Sequence, residues 1–167
     1  MNIIVAVDQN WAIGKDNKLL IQIPEDQRFF RNETINKVVV MGRKTLESLP
    51  GGKPLKDRTN IVISSNKNYK PQGVIVVHSI EEALEELKKY NSEDIYIMGG
   101  QTIYQQFLDY CQIAHVTKVN YSYDADTYFP NLDNKKEWVV EGYSDEHTYH
   151  DISYEFYKYV NKKVRTK

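Results

Sequence analysis

Asp26 is the residue whose type and placement best suit acid chemistry in this sequence. Proline is favoured at the first position of a helix, so Pro24 is expected to open one and to place Asp26 in its first turn. At about 100° per residue, Asp26 lies about 40° from Phe30 and about 60° from Ile23, on the apolar face of that helix. A carboxyl group on such a face loses hydration, and we expect its pKa to rise. The pattern favours a general acid, and the alternative is an acid that only stabilises the helix dipole.

Two glycine turns could bind phosphate groups. Gly42-Arg43-Lys44-Thr45 and Gly99-Gly100-Gln101-Thr102 each follow an apolar run and lead into helix-compatible sequence. Glycine lets a backbone approach a phosphate closely, and the first turn of a helix offers free N–H groups. Ser64-Ser65-Asn66 follows another apolar run, and together with Arg43 it suits a third phosphate, such as the 2′-phosphate of a dinucleotide. The full G-x-G-x-x-G fingerprint is absent, and glycines that only permit tight turns are the alternative.

Metal and nucleophile chemistry are not indicated. The single cysteine, Cys111, excludes an internal disulfide and any multi-cysteine metal site. The four histidines show neither H-E-x-x-H spacing nor an obvious nucleophile partner, and Ser64-Ser65 lacks the glycine-flanked elbow of a serine hydrolase. We therefore expect no bound metal.

The elements that must position these residues follow from the apolar pattern. Ser79 and Glu82 have the spacing of a capping box, and the apolar residues that follow repeat with the period of a helix. After about Cys111 the segments 114–119, 138–142 and 154–160 are aromatic and β-branched without helical periodicity, which predicts antiparallel strands at one edge. Four earlier β-branched runs predict buried parallel strands with right-handed crossovers: Ile3 to Val7, Lys37 to Met41, Asn60 to Ile63 and Asp94 to Met98.

The predicted fold is a three-layer α/β domain over residues 1–167. It has a mixed, mainly parallel central sheet, helices on both faces and an antiparallel C-terminal edge. The charge balance of 22 basic against 23 acidic residues argues against binding to nucleic acid. No apolar run approaches the roughly 20 residues of a membrane helix, so we expect a cytoplasmic protein without membrane contact, and a monomer.

Six sequence segments occur in a characteristic order between Asn2 and about Tyr159. They are residues 4–8 with 12–14, residues 23–26 with 29–30, and residues 40–48, 58–65, 97–104 and 126–130. Together they resemble the bacterial-type dihydrofolate reductase family over nearly the whole chain. The resemblance implies NADPH-dependent reduction of 7,8-dihydrofolate to tetrahydrofolate. Hydride would pass from nicotinamide C4 to pterin C6, and a proton would reach N5.

The resemblance assigns Asp26 to the pterin. Its carboxylate would bind the pterin N3 and 2-amino group, orient the ring and favour its protonation, while the N5 proton would arrive through water. Thr117 would support Asp26. The backbone carbonyls of Ile4 and Met98 would also contact the pterin.

The other residues of the implied substrate site would contact the pterin and benzoyl rings and the glutamate tail of the substrate. Phe30 would pack on the pterin and benzoyl rings, and Leu49 would line that pocket. Arg58 would grip the α-carboxylate of the glutamate, for which a planar bidentate donor is better than an ammonium. The implied substrate-binding residues are Ile4, Val5, Asp26, Phe30, Leu49, Arg58, Met98 and Thr117.

The implied NADPH site has three parts. The backbone of Ala6 and Ile13 would contact the nicotinamide carboxamide, beneath a mobile loop from Gly14 to Gln22. The two glycine turns would hold the pyrophosphate, and basic and hydroxyl residues would take the 2′-phosphate. The implied residues are Ala6, Ile13, Gly14, Leu19, Gly42, Arg43, Lys44, Thr45, Ser64, Ser65, Asn66, His78, Gly99, Gly100, Gln101, Thr102, Ile103 and Tyr104.

One departure from the family pattern concerns Leu20-Ile21, where the family commonly has Pro-Trp. In the family, the indole of that Trp donates a hydrogen bond to a water that touches the substrate, and the Ile21 side chain has no donor. We expect a rearranged water network and a somewhat freer loop. The same ordered water held by another group, such as Trp11, would contradict the rearranged network.

Two other functions are compatible with parts of the pattern. A reductase of riboflavin synthesis shares the architecture and the cofactor. Asp26 argues against it, because an acid that binds an aminopterin suits folate, and so does Arg58, because it would bind the glutamate tail of folate. A non-catalytic nucleotide-sensing module would need no acid on an apolar helix face. Turnover on dihydrofolate against the ribosylamino-pyrimidinone discriminates the two enzymes, and folate-analogue binding that is lost in Asp26→Asn excludes the sensor.

Overall fold

The computed structural model describes residues 1–167 and contains twelve strands and four α-helices. Short 3-10 turns lie at Pro50–Gly52, Ser92–Asp94, Leu108–Tyr110 and Leu132–Asn134. In chain order the elements are β1 (Asn2–Val7), β2 (Ala12–Lys15), β3 (Lys18–Leu19), α1 (Pro24–Thr34), β4 (Val38–Gly42), α2 (Arg43–Ser48), β5 (Thr59–Ile63), β6 (Ile75–Val77), α3 (Ile80–Leu87), β7 (Ile95–Ile97), α4 (Gln101–Phe107), β8 (Ile113–Val119), β9 (Thr127–Tyr128), β10 (Trp138–Tyr143), β11 (His147–Tyr149) and β12 (Ile152–Asn161).

Nine strands form one sheet in the order β10-β12-β8-β1-β7-β4-β5-β6, with β11 paired to β12. Every pairing from β8 to β6 is parallel, whereas β12 is antiparallel to β8, β10 and β11. The predicted mixed, mainly parallel sheet with an antiparallel C-terminal edge is therefore confirmed. A second, small sheet in the order β3-β2-β9 lies outside it.

The prediction for residues 114–119 is wrong in one respect. This segment, β8, pairs in parallel with β1 and is antiparallel only to β12. The reason is that α4 and the turn after it carry the chain from β7 back along the sheet, so β8 ends a strand-helix-strand unit. The antiparallel edge begins one strand later than the change in sequence pattern suggests.

Alternating side chains of the central strands build two cores. Ile3, Val5 and Val7 of β1 point to a large buried cluster that also contains residues of α3 and α4. Ile4, between them, points to a second cluster with Leu46 of α2, against which the aromatic residues of α1 pack. Helices therefore cover both faces of the sheet, as predicted.

The helix termini follow the sequence signals. Pro24 is the first residue of α1, and Asp26 lies in its first turn. At α3 the hydroxyl of Ser79 accepts a hydrogen bond from the backbone N–H of Glu82 at 3.0 Å, which confirms the cap. The Glu82 carboxylate accepts a hydrogen bond from the N–H of His78, one residue before the capping position. None of the helices combines the length and the apolar character needed to cross a bilayer.

Candidate active site

A cleft of about 620 Å³ lies at the carboxyl ends of β1, β4, β5 and β7. Parallel strands end at one edge of a sheet, so the turns that follow them converge there. The volume is that of a small-molecule site. The cleft brings together Ala6, Ile13, Gly14, Leu19, Gly42, Arg43, Lys44, Thr45, Ser64, Ser65, Gly99, Gly100, Gln101, Thr102, Ile103 and Tyr104, all predicted for the cofactor, with Val5 and Met98 from the substrate set.

The two glycine turns meet in the middle of this cleft. The N–H of Gly42 donates to the carbonyl of Gly99 at 2.9 Å, and a Cβ on Gly100 would lie 3.7 Å from the Thr45 hydroxyl. Gly42 and Gly100 are the N-caps of α2 and α4, so the free N–H groups of both helices open on the same space. Gly99 has a φ of 118°, which only glycine adopts readily.

The region predicted for a third phosphate is only partly assembled. Arg43 and Ser65 line the cleft, but one guanidinium nitrogen of Arg43 also donates to both carboxylate oxygens of Glu47, at 2.8 and 3.0 Å. Ser64 lines the cleft as well, yet its buried hydroxyl accepts from the N–H of Asn66 at 3.2 Å. Thus Ser64 shapes the turn and leaves Ser65 as the exposed hydroxyl.

Two predicted cofactor residues, Asn66 and His78, do not line the cleft. The side chain of Asn66 accepts from the N–H of Asn68 at 2.9 Å and so closes its own turn. The His78 Nδ1 atom lies 2.8 Å from the carbonyl of Ser64 and holds the end of β5 against the chain after β6. Both side chains therefore make local contacts outside the set of residues that lines the cleft.

The segment from Gly14 to Gln22 covers one side of the cleft as the β2–β3 hairpin and the turn that follows. Asp126 fixes the hairpin, because its N–H donates to the carbonyl of Gly14 and its carboxylate accepts from the N–H of Asp16, both at 3.0 Å. The side chain of Asn17 donates to the carbonyl of Lys44 at the start of α2. Sequence reasoning assigned Asp126 and Asn17 no role, because neither contact has a local signal.

Asp26 lies under this segment, half-buried on α1. The hydroxyl of Thr117, on β8, donates to the Asp26 Oδ1 atom at 2.6 Å, as expected from the resemblance. Burial is the main cause that raises the pKa of Asp26, the bond from Thr117 opposes it, and the charge of Glu25 adds to it. A carboxyl group that resists ionisation is thus held beside the cleft.

The raised pKa predicts how Asp26 affects stability. An acid whose pKa is higher in the folded state stabilises the protein fully below its unfolded pKa, and this contribution is lost as the pH rises through the folded value. Asp26→Asn keeps the acceptor for Thr117 and removes the ionisation. We expect its Tm to exceed that of the wild type at about pH 8 and to match it at about pH 3, below the unfolded pKa of an aspartate, about 3.9. Thermal unfolding at both pH values measures this, and a variant destabilised at the higher pH would contradict the burial of this carboxylate.

Asp26 also borders a second, small cavity of about 50 Å³. Ala6, Ile13 and Leu19 line both this cavity and the larger cleft, so the two spaces share a wall. The carboxyl group and the dinucleotide-sized cleft are therefore neighbours. The rest of the small cavity is formed by the segment from Leu20 to Ile23 and by Val7, Asp8, Ala12, Gln27, Val119 and Tyr123.

The Leu20-Ile21 departure falls in this cavity wall, where Ile21 offers no hydrogen-bond donor. Trp11 does not line the cavity; it is buried in the core against Phe129, with ring centroids 6.2 Å apart. Tyr123 lines the cavity instead, and its hydroxyl is buried with no hydrogen-bond partner in the protein. Sequence reasoning missed Tyr123 because it lies in a loop that is distant in sequence from Asp26.

The residues predicted for the substrate rings and tail cluster on the α1 side of the sheet. Phe30, Leu49 and Met98 pack against the buried cluster that contains Ile4. The carbonyl of Ile4 accepts a hydrogen bond from the Tyr104 hydroxyl at 2.8 Å, which ties the two sides of the site together.

Arg58 lies at the far end of α1. Its guanidinium stands 6.0 Å from the Phe30 ring centroid and donates to the Thr34 hydroxyl at 3.1 Å and to the carbonyl of Lys56 at 2.8 Å. Burial and the charge of Arg31 lower the pKa of Arg58, and no carboxylate forms a salt bridge with it. A fixed cation without an acidic partner is suited to an anionic group of a ligand.

The chain as a whole is similar to known proteins. A family model described as dihydrofolate reductase matches residues 1–161. The dihydrofolate reductase of Staphylococcus haemolyticus is 36% identical over 168 residues, covering 99% of this chain and 96% of that protein. That of Bacillus subtilis is 34% identical over 165 residues, covering 97% and 95%. The solved structure of the Enterococcus faecalis dihydrofolate reductase, complexed with NADP(H) and RAB-propyl, superposes with a TM-score of 0.85 at 30% identity, covering 96% of this chain and 95% of that one.

Proposed function

Since the chain belongs to the dihydrofolate reductase family, we propose that Asp26 is the acid of a site in which NADPH reduces dihydrofolate. The chain is an NADPH-dependent oxidoreductase that converts dihydrofolate to tetrahydrofolate. The observation that carries the residue assignment is the wall of Ala6, Ile13 and Leu19, shared between the small cavity of Asp26 and the large cleft. The family match also decides between the reductases of folate and riboflavin synthesis in favour of folate.

The residues of the large cleft fit a dinucleotide. Two helix N-termini open on it at Gly42 and Gly100, and their N–H groups suit the two phosphates of a pyrophosphate. Arg43 and Ser65 stand at the end where the 2′-phosphate would lie, and Ala6 and Ile13 stand at the end next to Asp26. NADPH supplies the hydride when it is bound. The hairpin over the cleft excludes water from that end.

Asp26 and Arg58 hold the two ends of the substrate in this proposal. The Asp26 carboxyl, fixed by Thr117, accepts from the N3 and 2-amino groups of the pterin and favours the protonated ring. Phe30 and Leu49 pack on the rings between, and Arg58 binds the glutamate carboxylate. Because the reaction consumes a proton, we expect its rate to fall as the pH rises through the raised pKa of Asp26. The experiment that tests the activity is the loss of reduced-nicotinamide absorbance when protein, NADPH and dihydrofolate are mixed.

The 2′-phosphate assignment predicts a selective effect of Arg43. Arg43→Ala should raise the Kd for NADPH by at least about tenfold, the value of one hydrogen bond to a charged group, and change the Kd for NADH little. Fluorescence titration with both nucleotides measures the two constants. Lys44→Ala is the matched control, because Lys44 lines the same cleft on the same helix turn. Equal losses for NADPH and NADH would mean that Arg43 serves the pyrophosphate instead.

The protein is further proposed to act as a monomer in the cytoplasm. All residues of the cleft and of the small cavity come from one chain, so the site needs no second copy. NADPH is a cofactor of intracellular metabolism, which supports the location. Light scattering on the purified protein should give the mass of one chain, 19.6 kDa, and a dimer mass would refute the monomer.

A further inference from the structure

Helix α1 is held at each end by a cluster of one glutamate, one tyrosine and one histidine. At its start, the Tyr154 hydroxyl donates to the Oε1 atom of Glu25 at 2.7 Å, and the His147 Nδ1 atom lies 3.1 Å from the same oxygen. The His147 ring stacks on the Tyr154 ring with centroids 5.5 Å apart. Tyr154 is only 4% exposed, so the glutamate is attached to a rigid part of the sheet.

The second cluster repeats these residue types near the end of α1. The Tyr96 hydroxyl donates to the Oε2 atom of Glu33 at 2.8 Å, and the His115 Nε2 atom lies 3.9 Å from that oxygen. Glu33 is separated from Glu25 by two helix turns, about 12 Å along the axis. Both clusters anchor the helix, but only the first adjoins the active-site acid.

Glu25 is the one negative charge that raises the pKa of Asp26, in addition to burial. No cation forms a salt bridge with Asp26, and the hydrogen bond from Thr117 is the one contact that opposes the rise of its pKa. Burial, the bond to Glu25 and the charges of both carboxylates raise the pKa of Tyr154 to about 12, which keeps it a neutral donor. The titratable and charged groups around the pair are Tyr154, His147, Tyr104, Asp8, Tyr123 and Arg28.

We propose that Glu25 is a positioning residue of the reduction: Tyr154 and His147 fix its carboxylate beside Asp26, so that its negative charge extends the pH range in which the substrate complex keeps its proton. This inference rests on the proposed role of Asp26 as the active-site acid. A carboxylate on a free side chain would turn towards solvent and be screened, whereas a carboxylate that accepts a bond from the buried Tyr154 hydroxyl and lies against the His147 ring keeps its position. The contacts with Tyr154 and His147 therefore keep the Glu25 carboxylate where it repels the negative charge of Asp26.

The decisive test is the pH dependence of the hydride-transfer rate in single turnovers with NADPH and dihydrofolate. In Glu25→Gln the side chain can still accept from Tyr154, but the charge is gone. Glu25 and Asp26 are adjacent in the first turn of the helix, and two carboxylates so placed in a half-exposed site repel enough to shift a titration by about 0.5 pH unit. We expect the midpoint of the rate profile to move down by about that much, with about threefold slower transfer above the midpoint and an unchanged rate at low pH.

Two further variants separate charge from anchoring. Tyr154→Phe releases the Glu25 carboxylate without changing its charge, and it should shift the midpoint in the same direction by a smaller amount. Glu33→Gln is the matched control, because it makes the same change in the second cluster; it should leave the midpoint at the wild-type value. If Glu25→Gln does not fold, the midpoints of Tyr154→Phe and Glu33→Gln still test the inference, because only Tyr154→Phe should shift.

Three outcomes would overturn the inference. They are a Glu25→Gln profile that superposes on the wild type, a rate lowered equally at every pH, and a Glu33→Gln shift as large as that of Glu25→Gln. The Asp26→Asn variant tests the proposed function separately. Loss of activity in Asp26→Asn together with an unshifted Glu25→Gln profile would retain the function and reject the role of Glu25.

Discussion

Asp26→Asn is expected to lower the rate of hydride transfer near neutral pH by about 100- to 1,000-fold, within the range for loss of an acid or base. The amide keeps the size of the side chain and the bond from Thr117. It removes the negative charge that can form when the pterin takes up its proton, so the protonated ring is no longer favoured. Stopped-flow single turnovers measure the rate of transfer directly.

The binding of NADPH is the internal control for this variant. Asp26 does not line the large cleft, so the Kd for NADPH should stay within about twofold of the wild-type value, as for a substitution outside the site. The rate of the variant should also recover partly as the pH falls, because solvent can then protonate the pterin. A large loss of NADPH affinity would contradict the placement of Asp26 on the pterin side. Transfer at nearly the wild-type rate would refute its role as the acid.

Arg58→Ala is expected to raise the Kd for dihydrofolate by about 10- to 100-fold, the value of a hydrogen bond to a charged group. The guanidinium is held in position by Thr34 and by the carbonyl of Lys56, and it forms no salt bridge with a carboxylate of the protein. A ligand carboxylate would therefore meet a donor that is already in place. Isothermal titration with dihydrofolate gives the change in affinity.

The selectivity of this effect identifies the group that Arg58 binds. A dihydropterin without the glutamate tail should bind the wild type and Arg58→Ala equally well. Arg31→Ala is the matched control, since Arg31 is the neighbouring arginine whose charge reaches Arg58. We expect it to weaken dihydrofolate much less. If Arg58→Ala weakened the binding of dihydrofolate and of the tailless dihydropterin equally, Arg58 would maintain the shape of the pocket and would not bind the glutamate tail.

The parts of the site that could be predicted from the sequence depend on local patterns. The helical wheel of α1 requires only neighbouring residues, so it predicts that Asp26 lies on the apolar face without reference to its partner on β8. The turns at Gly42 and Gly99 follow from the residue types at the ends of two strands. The apolar period of α3 and its cap at Ser79 are local in the same way.

The parts that were missed depend on residues that are distant in the chain. Periodicity identifies β8 as a strand but contains no information on its direction, which the crossover through α4 decides. Strands of two residues, such as β3 and β9, are too short to show a period. The bond between Glu25 and Tyr154 joins residues 129 positions apart, and no sequence signal pairs them. Tyr123 was missed for the same reason, because it lines the small cavity beside Asp26 but is distant from Asp26 in the sequence.

The central claim is that the carboxyl group at position 26 anchors the pterin ring next to the nicotinamide. A crystal structure of the protein with NADP⁺ and folate tests it most directly. We expect the carboxylate oxygens of Asp26 at about 2.6–3.2 Å from the pterin N3 and 2-amino nitrogens, the range of a hydrogen bond. The pterin should lie between Phe30 and the shared wall of Ala6 and Ile13. A complex in which Asp26 faces solvent, away from the bound folate, would contradict the account.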